Sequence, residues 1–517
     1  MSQISIFTTG LHEQRGINTV AYRNNKIDKL QQSSTLTSVS SIPNPEKYIK
    51  ESSCSKQLHV IVVGGGISGL RAASVLKRHG VKVTLLEGRL DRLGGRINTI
   101  RKHGNVARDI GAAWMHETSQ NKLVQLISKL NIDYYYDDGT PLYFTREGRV
   151  SSQFKAKKVA DEFADYAKSY YLENPDAPDR TVKDFVEDFV RNHPLLTASE
   201  RKWAPQATRQ VELWIGTSIE QASSKYLSYF MTERNLYLKG GYDRVVNWIA
   251  QPLLQDPNSI KMGQIVKEIN WGSPKVKVKS GNSTFTADAV IVTVPLGCLR
   301  QNQILFTPPL PKSIQAGIRA FSYGALGKIF VEFEKVFWPK DNDQFVYYPP
   351  PPSCTSPFDP DSILSYATVT SNLWIMSRAQ ALCVQICEPL TQRVESLTST
   401  EVYAYLEPLF KLFRTEPHND LPKYVNIDVT HWTTDPLAGF GSYSIEKVGD
   451  ESNLLLEALE ENKSERLQFA GEHCIDIGNG CVHGAFETGE KAARNLLEGV
   501  LGIRWDDNDT TMRSIIQ

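Results

Sequence analysis

The stretch VIVVGGGISGLRAASVLKRHG, residues 60–80, constrains the fold more than any other part of this 517-residue chain. Residues 58–63, LHVIVV, are a short β-branched run of the kind that fills a buried parallel strand. Gly64, Gly66 and Gly69 follow in G-x-G-x-x-G register, and a helical pattern begins at once. In that context each glycine has a task. Gly64 permits a tight turn, Gly66 lets the backbone approach a pyrophosphate, and Gly69 allows a helix to pack closely on a sheet. Ile67 and Ser68 open the helix, whose N-terminus offers free N–H groups and a positive dipole end. Gly80 ends it after a basic last turn. The next strand, VKVTLLE, delivers Glu87 eighteen residues after Gly69, where a carboxylate accepts hydrogen bonds from a ribose diol. A structural β-turn-α with an incidental glutamate is the bland alternative. The complete strand–turn–helix–strand context favours a dinucleotide site.

A chain of this length has room for about three domain equivalents, or two large interleaved ones. Lys+Arg 58 balances Asp+Glu 58, so nothing draws it to nucleic acid or anionic lipid at long range. Apolar runs fall short of the roughly 20 residues needed to cross a bilayer. The opening MSQISIFTTG lacks a signal-peptide pattern, and RSIIQ is not a peroxisomal tripeptide. A cytoplasmic location is the resulting expectation. The odd set Cys54, Cys298, Cys354, Cys383, Cys387, Cys474 and Cys481 argues for reduced thiols rather than a disulfide framework.

Residues 1–55 are polar and aperiodic and read as a flexible leader. TVKDFVEDFVRN and ERKWAPQATRQVELWIG have helical spacing. GQIVKEINW, VKVKS and TFTADAVIVTVP read as a meander returning to a buried strand. The proline-rich 347–360, YYPPPPSCTSPFDP, reads as an exposed loop.

Beyond Glu87 come GRLDRLGGRINT and DIGAAWMH. Here the sequence resembles the flavin-dependent amine oxidases, which carry an E-A-R-x-R-x-G-G-R element and then D-x-G-A-x-W. The resemblance runs from about 57 to 500 through LKGGYDRVV, VTVPLG, SYGALGKIFVEF, HWTTDPLAGFGSYS, FAGEH and GNGCVHGAFETGEKAA. GAAWMH with GCVHGA is most similar to the fungal polyamine oxidase and corticosteroid-binding branch. One residue is extra between Arg89 and the glycine pair, leaving open which arginine faces the cofactor phosphates.

The resemblance implies a mixed α/β fold: a Rossmann-like FAD-binding domain of the amine oxidase type (56–140, 235–310, 436–505) with an interleaved substrate-binding domain (141–234, 311–435) and a tail, 506–517. It implies non-covalent FAD, because the position of the cysteine that monoamine oxidases join to flavin falls on Ser442. The implied cofactor residues are Gly64, Gly66, Ile67, Ser68, Gly69, Glu87, Gly88, Arg89, Gly94, Gly95, Arg96, Gly111, Ala112, Ala113, Trp114, Val266, Trp432, Gly471, Glu472, Cys481 and Val482.

Lys328, in the G-x-x-x-K element, matches the lysine that sits near flavin N5 through a water, although a lysine snorkelling from a strand end would read alike. If IFVEF is a strand, Lys328, Phe330 and Glu332 share a face. His116 matches an active-site histidine and is assigned, with Lys328, to catalysis; a lone histidine after an aromatic is otherwise usually structural. His116, Trp214, Tyr443 and Cys481 form the implied substrate set, Cys481 replacing one wall of the two-tyrosine cage. Glu233 and Glu487 are possible carboxylates for a polycation. FMTERN (230–235) lacks the histidine of the fungal polyamine oxidases, which weakens spermine-type specificity.

The implied activity is oxidation of an amine, polyamines leading, with oxygen reduced to hydrogen peroxide. The small-molecule amine and oxygen are the expected partners, as a monomer or homodimer, with no nucleic acid and no membrane. Alternatives are a binder of a hydrophobic ligand such as a steroid, or an oxidase of a specialised metabolite or of methylated lysine. Room is lacking for a coiled-coil tower or a DNA-facing module. His473, Cys474, Cys481 and His483 are soft ligands, but H-C-x(6)-C-x-H fits no common zinc spacing, and no metal is expected.

Overall fold

Alternate residues of the strand His59–Val63 feed two different cores. Val60 and Val62 face one side, Ile61 and Val63 the other, and all four are buried. A strand covered on both faces must be apolar throughout, each such side chain contributing roughly 1.5–3 kcal/mol. The computed structural model describes residues 57–505, apart from 103–105, 138, 140, 152–153, 230–234, 353–357 and 464. The leader, the tail and Glu233 lie outside the described residues.

His59–Val63 is the centre of a five-stranded parallel sheet, in the order Ile260–Lys261, Lys82–Leu86, His59–Val63, Ala289–Val292, Leu467–Phe469. The helix Ile67–Arg78 covers one face, flanked by the helices Asp243–Leu254 and Val482–Asn495. The meander Val266–Asn270, Val276–Ser280 and Ser283–Ala287 is antiparallel and adjoins the core on the other face, before the chain enters the parallel sheet at Ala289. Four distant segments thus meet in one sheet.

A second sheet has seven strands, in the order Tyr424–Val429, Leu326–Phe333, Ala381–Cys387, Thr368–Asn372, Gln344–Tyr347, Leu142–Thr145, Gly148–Arg149. One face buries Ile329, Val331, Leu382 and Val384 against the helix Ser399–Leu412. The other carries Lys328 and Phe330 toward a small sheet of Trp114–Met115, Asn235–Leu238 and Tyr134–Asp137. The helices Ala156–Glu173, Val182–Asn192 and Ala198–Thr208 complete the fold. From Gln57 onward the chain forms one compact unit.

The proline-rich loop departs from expectation at its start. Tyr347 ends a strand, and Tyr348 is fully buried, stacked on Tyr143 at 5.7 Å and packed with Ala156 and Leu213. Exposure begins only at Pro352 because the two aromatic rings are needed to fill the core beneath the helices. Among the described residues, no helix is long and apolar enough to cross a membrane.

Candidate active site

At the end of the first strand, glycine is compulsory for two different reasons. Gly64 has φ +107°, and a Cβ on Gly69 would lie 2.0 Å from the Gly64 carbonyl oxygen. Gly66 differs: its φ of −71° suits any residue, and a Cβ there would meet nothing within 4 Å. Open space therefore lies at the N-terminus of a 12-residue helix whose first turn holds no acid and no side-chain cap. Ser68 Oγ is buried there without a partner among the described residues. Gly94, paired with Gly66 across a parallel bridge, brings the second glycine pair alongside, with Gly95 next to it. Glu87 is buried and accepts the N–H groups of Gly65 (2.6 Å) and Arg89 (2.8 Å). Gly88 packs by Ile265 and Leu437, and the Gly263 and Gln264 N–H groups bond to Arg89 and Glu87 carbonyls, which draws the segment leading to the buried Val266 beside them. An unpaired hydroxyl, free helix N–H groups and a gap that only a Cβ-less residue leaves open fit a dinucleotide diphosphate.

The three arginines of this region are held differently. Arg89 forms an ion pair with Asp435, and Arg96 one with Glu472 at 2.7 Å. Arg92 donates to the carbonyls of Gly95 (2.8 Å) and Ile97 (3.1 Å) and has no carboxylate partner among the described residues. Burial, then the repulsion of Arg89, lower its pKa to about 10.

Lys328 is 7% exposed on the strand Leu326–Phe333. Its Nζ donates to the carbonyls of Gly111 (2.5 Å) and Asp109 (3.3 Å) and lies 5.0 Å from the centre of the Trp114 ring. Burial pushes the ammonium pKa below its ordinary value, opposed by Cys383 and Asp109. Its neighbours on the same face separate: Phe330 packs with Ala113, and Glu332 pairs with Arg108. A Cβ on Gly111 would overlap the Arg96 carbonyl at 1.9 Å, and Ala112 donates to that carbonyl, so Gly111–Trp114 is threaded between Arg96 and Lys328. Trp114 Nε1 has no partner among the described residues.

His116 Nδ1 is 2.8 Å from Asn235 Oδ1. The ring is accessible, yet the atoms packed around it disfavour the imidazolium and lower its pKa, with Asn235 opposing. Glu117, the next residue, reaches His483 Nε2 at 3.2 Å. Glu487 instead faces Lys122 at 3.7 Å.

Glu472 is a buried hub, accepting from Arg96 (2.7 Å), Ser444 Oγ (2.5 Å) and the Gly480 N–H (2.9 Å). Burial would raise its pKa, but Arg96 and the other donors hold it below the ordinary carboxylate value. Gly471, just before it, donates to Thr488. The Tyr443 hydroxyl donates to the Trp214 carbonyl at 2.8 Å; Trp214 itself is 49% exposed. Ser442 bonds through its hydroxyl to both backbone groups of Leu326. Cys481 precedes the helix that starts at Val482, and burial pushes its thiol up to about 12. Trp432 is buried two residues beyond Thr430, whose hydroxyl accepts the Lys328 N–H. Among the described residues no group of three or more His, Cys, Asp or Glu is placed to hold a metal; His483 is engaged by Glu117.

The structure brings Lys328 to Gly111–Trp114, Arg96 to Glu472, and Trp214 to Tyr443. It adds Asp435, Asn235, Glu117 and Ser444, which the sequence reading passed over. Asp435 and Ser444 stand inside HWTTDPLAGFGSYS, and Asn235 closes FMTERN, so their motifs were visible but their partners were not.

A parallel sheet with a glycine-lined cradle, joined to a second sheet bearing a buried lysine, is the layout of a cofactor-dependent oxidoreductase. The chain belongs to the flavin containing amine oxidoreductase family, whose description matches residues 67–497. It is a flavin-dependent oxidoreductase of the amine oxidase class, and its cofactor is FAD. Over 500 residues it is 28% identical to the corticosteroid-binding protein of Candida albicans, covering 89% of this chain and 99% of that one. It is 32% identical to polyamine oxidase 5 of Oryza sativa subsp. japonica over 470 residues, 86% of this chain and 89% of that one. It is 30% identical to lysine-specific histone demethylase 1 homolog 2 of Arabidopsis thaliana over 462 residues, 85% of this chain but 58% of that one.

Proposed function

We propose that the chain oxidises an amine at the carbon next to nitrogen, giving an imine, with oxygen as final electron acceptor and hydrogen peroxide as product; polyamines are the leading substrates. The observation that carries this is the buried Lys328 ammonium, fixed against Gly111 and Trp114 between the two sheets. When bound, FAD supplies the ring that accepts a hydride equivalent from the amine. Everything else falls to the protein. Two of the three Lys328 N–H donors are used on carbonyls, and the third would be left to hold a water beside FAD when it is bound. With Nδ1–H donated to Asn235, a neutral His116 presents Nε2 to take up the proton that a substrate ammonium must shed to become the uncharged, oxidisable amine. Tyr443 and Trp214 form the wall that orients the carbon chain. Residues 56–140, 235–310 and 436–505 act as a Rossmann-like FAD domain, the intervening segments as the substrate domain. FAD is held without a covalent bond, Ser442 offering a hydroxyl already bonded to Leu326.

Among the arginines, Arg92 faces the phosphates, because Arg89 and Arg96 are already neutralised and a half-buried guanidinium without a counter-ion is otherwise costly. Arg92→Met is expected to weaken FAD binding about 10–100-fold, the worth of a charge-assisted hydrogen bond. Fluorescence titration of apoprotein with FAD measures it, and an unchanged Kd returns the role to Arg89 or Arg96.

The test of the reaction is anaerobic mixing of the yellow holoenzyme with a panel of amines. Polyamines should bleach the flavin, and admitting air should restore it with one peroxide per amine. No bleaching across the polyamines sinks that substrate class. The corticosteroid-binding relative supports a second reading, a flavoprotein that holds a hydrophobic ligand with little turnover. Steroid binding without sustained peroxide release from any amine would establish it.

A further inference from the structure

Gln385 occupies an unusual place. It lies in Ala381–Cys387, third in the seven-stranded sheet and paired on both edges, and it is the one residue of that strand that is not buried. Its register partner across the antiparallel pair is Lys328, so the two side chains rise from the same face, about 4.8 Å apart at the backbone. Along that face its neighbours Cys383 and Cys387 are buried, as are Phe330 and Val369 on the flanking strands. Gln385 therefore keeps some solvent exposure in the middle of a covered sheet, on the face that carries Lys328. Leu326, whose backbone is tied to Ser442 next to Tyr443, is likewise only partly buried. The Gln385 amide has no hydrogen-bond partner among the described residues. An unpaired amide in an apolar recess is poorly placed for packing and well placed for recognition.

We infer that Gln385 is a specificity-determining residue that recognises a second nitrogen on the substrate chain, one strand spacing from the carbon oxidised near Lys328. That spacing is close to the reach of a three-carbon spacer between two amines. Gln385 Oε1 accepts an N–H from that second nitrogen, and the register pairs Leu326–Cys387 and Phe330–Cys383 flank the chain on either side. An amide accepts from a secondary amine whether or not it is protonated, which a carboxylate would bias toward the charged form. The inference rests on the amine-oxidation reading and adds to it a site for the non-reacting end of the substrate.

The experiment compares matched amines on holoenzyme: a simple alkyl monoamine, and a chain of equal length carrying a second nitrogen three carbons from the first. Binding is followed by perturbation of the flavin spectrum, which needs no turnover, and flavin reduction separately by anaerobic stopped flow. Gln385→Leu is expected to raise the Kd for the diamine about tenfold and leave the monoamine unchanged, with limiting reduction rates nearly equal to wild type for both. Gln385→Glu keeps an acceptor, so it should retain tight diamine binding, and it guards against a packing defect in the leucine variant. Equal shifts for both amines, or none, overturn the inference. If wild type is reduced by no amine, the reaction fails as a proposal, while a tenfold diamine-specific change in binding still upholds the recognition role and its absence still refutes it.

Discussion

Lys328→Met is expected to leave FAD bound with wild-type affinity and to slow flavin reduction, its reoxidation, or both by at least about a hundredfold, the range for loss of a positioned polar catalytic group. Methionine matches the length and bulk of the side chain, so the apolar contacts with Trp114 are largely kept. What disappears is the charge and its donors to Gly111 and Asp109. Those carbonyls belong to the segment running to Trp114 and His116, so a structural role for Lys328 would show as displacement of that segment and a lower melting temperature. A catalytic role would show as slow half-reactions in a protein that melts normally. Rapid-reaction absorbance separates reduction from reoxidation, and calorimetry reads the melt. If both rates survive, Lys328 is a strand lysine that anchors Gly111 and nothing more.

The cradle was legible in the sequence because its information is local. Gly64, Gly66, Gly69 and Glu87 fall within one strand–turn–helix–strand unit, and each has a steric or polar reason that spacing alone conveys. The helix expected from TVKDFVEDFVRN runs Val182–Asn192, again from periodicity within one element. Lys328 stood out for a related reason: a lysine in an apolar run asks for a partner. Its partners, the carbonyls of Asp109 and Gly111, lie some 220 residues away and carry no side-chain signature, so only the fold reveals them. Arg89 and Asp435 are separated by 346 residues. The motif pattern marks all three arginines as equals, and only tertiary pairing distinguishes Arg92 from the two that already have counter-ions. Gln385 had no signature at all: in ALCVQIC it reads as a polar residue on an ordinary strand, and its place opposite Lys328 exists only once the strands are in register.

Gly66→Ala and Gly69→Ala, the same substitution three residues apart, are expected to fail in opposite ways. The methyl at Gly69 has nowhere to go: it would sit 2.0 Å from the Gly64 carbonyl and 2.8 Å from Thr293 Oγ1, and the backbone atom is not free to yield. Apoprotein carrying Gly69→Ala should lose stability by about 1–3 kcal/mol or more, as overpacking does, because the helix Ile67–Arg78 must lift from the parallel sheet it covers. At Gly66 the methyl meets no protein atom within 4 Å, and φ −71° is comfortable for alanine. Apoprotein carrying Gly66→Ala should therefore melt within about 1 kcal/mol of wild type, since the small gain from a stiffer unfolded chain offsets the loss of a glycine cap. Its defect belongs to the cofactor: the methyl fills the approach to the helix N-terminus, and FAD affinity should fall by at least about a hundredfold as the diphosphate loses contact with the free N–H groups. Melting the apoproteins and titrating both with FAD resolves the two effects. Wild-type FAD affinity in Gly66→Ala would mean that the space beside it is not where the diphosphate lies.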